Sequence, residues 1–286
     1  MSASSAEPID LSNPNPNYLT IVALEDGLTA SLSANAVEYS IDGNDNWTTL
    51  TADTTSPVIN TGQYISFRGN LTPASGKGVG TFKISKSCDL TGNCMSLLFG
   101  DDAKTNLSLS GKDYVFRKLF SNCKTIKNVS SNFLPATTLA DSCYADMFTG
   151  CSSLTTAPEL PATTLASSCY SSMFYYCKAL TTAPQLPATT LANRCYGAMF
   201  RGCSSLKTAP ELLATTLVYS CYYYMFNGCS KLNYIKAMFT TTPSSTYTNN
   251  WVSGVASSGR FVKNKDATWN VTGVNGIPSM WTVQTA

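Results

Sequence analysis

The apolar positions of this chain repeat at a fixed interval over its second half. Copies of the unit L-P-A-T-T-L-A-x-x-C-Y-x-x-M-F-x-x-C-x-x-L-x-x-A-P begin at Leu134, Leu160, Leu186 and Leu212, which defines a constant repeat length. The last copy has Leu213 in place of the proline and loses the pattern after Leu232. A unit of this size buries too little surface to fold alone, so we expect the copies to stack on one another.

The segment C-Y-x-x-M-F-x-x-C of each unit predicts a short helix. In the copy from Cys169 to Cys177, a helical wheel places the apolar side chains within about 140° of one another. The proline-containing residues 180–191 that follow predict one or two brief strands, because proline excludes helix. Each coil is therefore expected to hold a short helix and short strands.

The two ends of the chain have different patterns. From Tyr18 to Ile84, apolar and polar residues alternate in short runs separated by turn signals such as Asp42-Gly43, which predicts a small β-sandwich. Residues 1–16 are polar and rich in Pro and Asn, which is typical of a flexible arm. The aromatic segment that contains Trp251, Trp269 and Trp281 is suited to cap the last coil.

The repeated unit resembles a known group of repeats. The motif C-Y-x-x-M-F-x-x-C-x-x-L with the following L-x-x-A-P is similar to the leucine-rich repeats of the Bacteroides surface protein A (BspA)-like group over residues 88–240. Residues 93–100 and 251–281 are similar to flanking motifs of that group. Such repeats occur in bacterial surface adhesins and in virion proteins of crAss-like phages of gut Bacteroidales. The resemblance therefore implies a repeat protein on a bacterial or virion surface.

Together these patterns predict an α+β fold. An N-terminal β-sandwich-like module would be followed by a leucine-rich-repeat solenoid with a 26-residue repeat, and by a β-rich C-terminal cap. The predicted boundaries are a flexible arm at 1–16, a β-sandwich-like domain at 17–86, the leucine-rich-repeat solenoid at 87–240 and the C-terminal cap at 241–286.

Eight of the eleven cysteines stand in two repeated columns. The columns are Cys143, Cys169, Cys195 and Cys221, and Cys151, Cys177, Cys203 and Cys229. Small residues at one position of every repeat usually stack in the interior, so we predict buried, reduced thiols, with a disulfide framework as the alternative. The chain has no CxxC pair and no histidine, so we expect no metal site and no cofactor.

Charge and residue types favour binding over catalysis. Residues 1–67 hold eight acids and no Lys or Arg, whereas the rest holds all 19 basic residues against nine acids, a net charge of +10. The two parts have unrelated surfaces, or the basic part meets an acidic neighbour or an anionic glycan. Without histidine the commonest general base is missing, and the carboxylates of the repeats have no recurring partner. We therefore expect no enzyme activity and assign no catalytic residues.

The outward positions of the C-Y-x-x-M-F-x-x-C segments differ between copies, whereas L-P-A-T-T-L-A barely changes. Exposed positions drift when packing does not constrain them, but these are rich in Tyr, Ser, Gly, Asn and Arg, the mixture found in adaptable recognition surfaces. The predicted ligand-binding residues are Tyr175, Tyr176, Arg194, Arg201, Tyr219, Tyr223, Tyr224 and Asn227.

The predicted function is a non-enzymatic recognition or adhesion module, on the virion surface of a phage as part of a head or tail fibre. It would bind a host-surface ligand through the outer face of the repeats. The alternatives are a BspA-like adhesin on a bacterial surface and a purely architectural virion component. Expected partners are a protein or glycan on a bacterial surface, or other virion proteins through the N-terminal arm, with a homo-oligomer left open. We expect no nucleic-acid partner, because basic residues are interspersed with acids.

The first residues of the chain and the length of its apolar runs indicate the expected location of the protein. The first residues have neither a basic region nor an apolar core, so no secretory signal is expected in this chain, which favours the virion over an exported adhesin. No apolar run approaches the roughly 18 residues that would span a membrane.

Overall fold

The computed structural model describes residues 15–44, 46–74 and 76–286, so most of the predicted arm at 1–16 lies outside the described residues. The described strands are β1 (Leu19–Ala23), β2 (Ala30–Leu32), β3 (Val37–Ile41), β4 (Thr48–Leu50), β5 (Tyr64–Arg68), β6 (Phe82–Ile84), β7 (Cys88–Thr91), β8 (Ile126–Val129), β9 (Tyr234–Ala237), β10 (Arg260–Lys263) and β11 (Thr282–Thr285). The short helices are α1 (Ser96–Phe99) and α2 (Ser245–Thr248), with 3₁₀ segments at Gly100–Lys104 and Ser131–Phe133.

These strands form three sheets. A six-stranded sheet has the order β4-β3-β5-β1-β7-β8, and β2 pairs with β6 separately. All pairs in the first sheet are antiparallel except β7 with β8, where the chain crosses over and returns in the same direction. The third sheet, in the order β11-β10-β9, is parallel. Strand β1 is buried along its whole length, and four of its five residues are apolar.

The C-Y-x-x-M-F-x-x-C segments form series of tight turns rather than helices. In residues 141–151, every second amide bonds back along the chain, as when Met147 N donates to Tyr144 O at 3.3 Å. The intervening amides bond to the next unit, as when Phe148 N donates to Met173 O at 2.9 Å. We call this arrangement the turn stack. It comprises residues 113–123, 141–151, 167–177, 193–203 and 219–229, and it continues over residues 249–255 after the short helix α2.

Residues with a left-handed backbone conformation, that is, with positive φ, recur at every fourth position of the turn stack. Ser142 and Asp146 have φ angles of 54° and 57°, and Gly150 follows at 75°. A right-handed α-helix needs negative φ at every residue, so this alternation excludes a helix. It also sets a side-chain period of four, in which two residues point into the core and the next two point outwards.

Two columns of aromatic rings fill the interior of the turn stack. The first begins at Phe82 on β6 and continues through Phe120, Phe148, Phe174, Phe200 and Phe226, with successive ring centroids 5.4, 5.6, 5.8, 5.7 and 5.9 Å apart. The second contains Phe116, Tyr144, Tyr170, Tyr196 and Tyr222, at 5.7, 5.9, 6.0 and 6.2 Å. Trp251 contacts the last ring of both columns, at 6.2 Å from Tyr222 and 6.1 Å from Phe226. Trp251 therefore covers the end of both columns.

The predicted fold class is wrong. The prediction was an α+β protein with a leucine-rich-repeat solenoid between a β-sandwich-like module and a β-rich cap. Helix makes up 6% of the structure, the strands lie in separate sheets, and no solenoid is detected in the described part of the chain. The helix expected in each unit is absent because left-handed residues interrupt it at every fourth position. The predicted domain boundaries stay predictions, although β7 and β8, from the region beyond residue 86, belong to the six-stranded sheet.

The burial predicted for the repeated cysteines is confirmed. All eleven cysteines are buried and free. In the second column the thiol of Cys177 donates to Phe148 O at 3.2 Å, and that carbonyl also accepts the amide of Cys151. Burial raises the pKa of the Cys123 and Cys229 thiols to about 12. These thiols are therefore neutral at physiological pH and shielded from reagents.

Candidate functional site

The outward side chains of three neighbouring units share one surface. We call it the outer turn face and define it by the outward positions of residues 167–176, 193–202 and 219–228. All eight predicted ligand-binding residues lie on it, although the helix used to predict them does not form. Over so short a segment, a period of four and the helical period of 3.6 assign the same side chains to the outside. The sequence therefore predicted which side chains point outwards but assigned the wrong backbone, and their role in binding stays a prediction.

Arg201 is the centre of one cluster on the outer turn face. Its guanidinium carbon lies 5.5 Å from the ring centroid of Tyr175, in the preceding unit, and 4.8 Å from that of Tyr224, in the following unit. Arg201 Nε also donates to Asn227 Oδ1 at 3.1 Å. Contacts of a cation with aromatic faces contribute about 0.5–1 kcal/mol each at exposed sites. Four of the predicted residues, from three units, are therefore held in one arrangement.

Tyr176 occupies space that a glycine leaves open. Its φ is 57°, at a position where Gly150, Gly202 and Gly228 stand in other units. A Cβ atom added to Gly202 would lie 2.7 Å from the Tyr176 ring. The ring also lies 4.5 Å from that of Tyr175 in an edge-to-face arrangement, and 43% of Tyr176 is exposed. Tyr176 thus presents an ordered aromatic surface to solvent.

A cleft with a volume of about 510 Å³ lies at the other end of the outer turn face, and we call it the Arg194 cleft. Its lining residues are Ser171, Ser172, Arg194, Gly197, Ala198, Tyr219, Ser220, Tyr223, Ser245 and Asn249. The guanidinium of Arg194 lies 5.6 Å from the Tyr219 ring centroid, and hydrogen bonding with Arg194 lowers the pKa of Tyr219. The volume falls within the range of about 300–1,000 Å³ that is typical of small-ligand sites.

Tyr223 and Tyr224 connect the cluster and the cleft. Their rings lie 4.4 Å apart, with Tyr223 lining the Arg194 cleft and Tyr224 in contact with Arg201. Tyr219 and Tyr223 are 52% and 40% exposed, so both can contact a ligand without rearrangement. The predicted residues therefore form one continuous surface across three units.

The charged side chains of the outer turn face are all positive. Its basic residues are Arg194 and Arg201, and its three segments contain no acid; between residues 160 and 230 the sole acid is Glu211. Glu211 forms an ion pair with Lys236 at 3.0 Å and is not part of the outer turn face. The outer turn face is therefore positively charged, which attracts anionic groups.

The sequence did not predict several residues of the cleft. Ser245 and Asn249 stand one repeat length after Tyr219 and Tyr223, in a segment that continues the turn stack. That segment retains a glycine, Gly254, at the position of Gly228, but Trp251 replaces the repeated methionine and no cysteine remains. The retained glycine is the signal that could have identified this further unit.

No protein-family model, curated protein or solved structure matches this chain. In the described residues, no helix is long and apolar enough to cross a membrane.

Proposed function

We propose that this protein is a non-enzymatic recognition module that binds a ligand through the outer turn face. The observation that carries the proposal is the arrangement of Arg201 between Tyr175 and Tyr224, with Asn227 bonded to its guanidinium. Tyrosine and arginine contribute most of the binding energy in many interfaces, especially at central positions. Side chains that are already ordered lose little conformational entropy when they bind.

The proposed setting is the surface of a phage virion, as part of a head or tail fibre that contacts a host-surface protein or glycan. A BspA-like adhesin on a bacterial surface is the alternative. Both settings are supported by the resemblance of the repeated C-Y-x-x-M-F-x-x-C unit to repeats of bacterial surface adhesins and phage virion proteins. Both also suit a surface rich in Tyr, Ser and Arg, which can contact varied ligands.

A purely architectural role is the second candidate. It is favoured by the continuous bonding between units, in which amides such as Tyr170 N, donating to Cys195 O at 3.1 Å, join each unit to the next. Units joined in this way can act as a spacer that keeps two attached parts apart, without binding a ligand along its length.

Cell and virion binding distinguish these two roles. The full-length protein would be incubated separately with intact Bacteroidales cells and with purified virions, and bound protein would be quantified. Recognition predicts saturable binding to cells that is lost when Tyr175, Arg201 and Tyr224 are replaced together by alanine. Saturable binding to virions alone, unaffected by that triple substitution but lost when residues 1–16 are deleted, would support the architectural role and contradict recognition.

A further inference from the structure

The Arg194 cleft combines a cation, aromatic faces and hydroxyl groups at one place. We infer that it binds an acidic glycan, with a sugar carboxylate at Arg194 and a sugar ring against Tyr219 or Tyr223. This inference rests on the proposed recognition function, since it specifies the ligand class of the same surface.

Arg194 supplies the anion-binding group. The guanidinium has no carboxylate partner among the described residues, and the lining of the cleft contains no acid. A guanidinium binds a carboxylate through two parallel hydrogen bonds, which a neutral sugar cannot reproduce. The adjacent Tyr219 ring limits the positions that Arg194 can adopt.

The aromatic and hydroxyl groups favour a sugar over a simple anion. Tyr219 and Tyr223 present exposed rings, and the C–H groups on one side of a pyranose pack well against such faces. Ser172 and Ser245 form no side-chain hydrogen bond with other described residues, so their hydroxyls are available to sugar hydroxyl groups. An acidic peptide could pair with Arg194 but lacks the C–H face of a pyranose that packs against the Tyr219 and Tyr223 rings.

Small residues leave room for the ring. Gly197 and Ala198 line the cleft at the positions where the preceding unit has Ser171 and Ser172 and the following unit has Tyr223 and Tyr224. Larger side chains at 197 and 198 would fill the space between those two units. The cleft therefore depends on the particular residues of the unit that contains Arg194.

Calorimetric titration of the full-length protein with tetragalacturonate, its methyl ester and a glutamate octapeptide tests the inference. We expect tetragalacturonate to bind at least about tenfold more tightly than its methyl ester. Arg194→Gln should remove that difference, and Lys207→Gln, which removes a positive charge outside the cleft, should change the affinity less than twofold. Melting temperatures would verify that both variants fold.

Three results would overturn the inference: no binding of tetragalacturonate, equal binding of acid and ester, or equal loss of affinity in both variants. Octapeptide binding that matches tetragalacturonate and depends equally on Arg194 would assign the cleft to acidic peptides instead. Cell binding separates this inference from the proposed function. Binding that survives Arg194→Gln and excess tetragalacturonate, but is lost on replacing Tyr175, Arg201 and Tyr224, would reject the glycan and retain the recognition function.

Discussion

The ring of Phe174 lies parallel to the ring of Phe200, with centroids 5.7 Å apart and planes inclined by 8°. The same relationship recurs between each pair of successive units in this column. The same two units are also joined by a backbone hydrogen bond, in which Phe174 N donates to Met199 O at 2.9 Å. Each unit is therefore stabilised by its neighbours rather than by its own short-range contacts.

Removing one phenylalanine ring from this column should lower the stability of the protein substantially. Phe174→Ala should lower the free energy of unfolding by about 3–5 kcal/mol, because it leaves a cavity between Phe148 and Phe200. Tyr175→Ala, on the adjacent outward position, should cost about 1–2 kcal/mol, since it removes only the outward contacts with the Arg201 guanidinium and the Tyr176 ring. Urea denaturation measures both values, and equal losses would contradict the assigned orientation of these residues.

Two glycines at equivalent positions should respond differently to alanine. Gly202 and Gly228 both have φ of 76°, so Gly→Ala at either site should cost about 1–2 kcal/mol of backbone energy. A Cβ atom at residue 228 would meet its nearest neighbour at 3.6 Å, whereas one at residue 202 would lie 2.7 Å from the Tyr176 ring. Gly202→Ala should therefore destabilise the protein more.

A double-mutant cycle tests the cause of that difference. In the Tyr176→Ala background, Gly202→Ala should cost no more than Gly228→Ala does, because the ring that blocks the new Cβ atom is gone. An excess cost at residue 202 that persists without the Tyr176 ring would show that another contact is responsible.

The buried thiols should make the protein sensitive to alkali. Their pKa is about 8.5 when the chain is unfolded, whereas burial raises the pKa of Cys143 to about 12 in the folded state. Between these values the folded state holds protons that the unfolded state has lost, so stability falls as pH rises, by up to about 1.4 kcal/mol per pH unit for each thiol. Urea midpoints between pH 7 and pH 10 measure this slope, and Cys143→Ala should reduce it. A midpoint independent of pH would contradict neutral, buried thiols.

Several features could be predicted from the sequence because they depend on spacing alone. The buried cysteine columns and the outward position of Tyr223 follow from a fixed repeat length and a two-in, two-out pattern. The turns could not be derived from a helical wheel, because each segment is too short to separate a period of four from 3.6. The clearest signal for turns was the glycine at residues 150, 202, 228 and 254, where a left-handed residue is needed.

The geometry of the candidate site depends on contacts between units that no single repeat contains. The position of Arg201 depends on Tyr175 in the preceding unit and on Tyr224 in the following unit. The Arg194 cleft also depends on Ser245 and Asn249, whose unit lacks the repeated cysteines. Charge composition predicted a preference for anions, but only the stacking of units shows which side chains converge.

Binding to intact Bacteroidales cells by the Tyr223→Ala/Tyr224→Ala variant tests the central claim most directly. Both rings lie where the Arg201 cluster meets the Arg194 cleft, so their loss should weaken binding by about 2 kcal/mol, or roughly 30-fold in Kd. Tyr234→Ala is the matched control, since Tyr234 also contacts an arginine, with its ring centroid 4.7 Å from the Arg260 guanidinium, but lies on β9 outside the outer turn face. We predict a large loss for the double variant and little change for the control, with both proteins folded. Unchanged binding by the folded double variant would contradict recognition through the outer turn face.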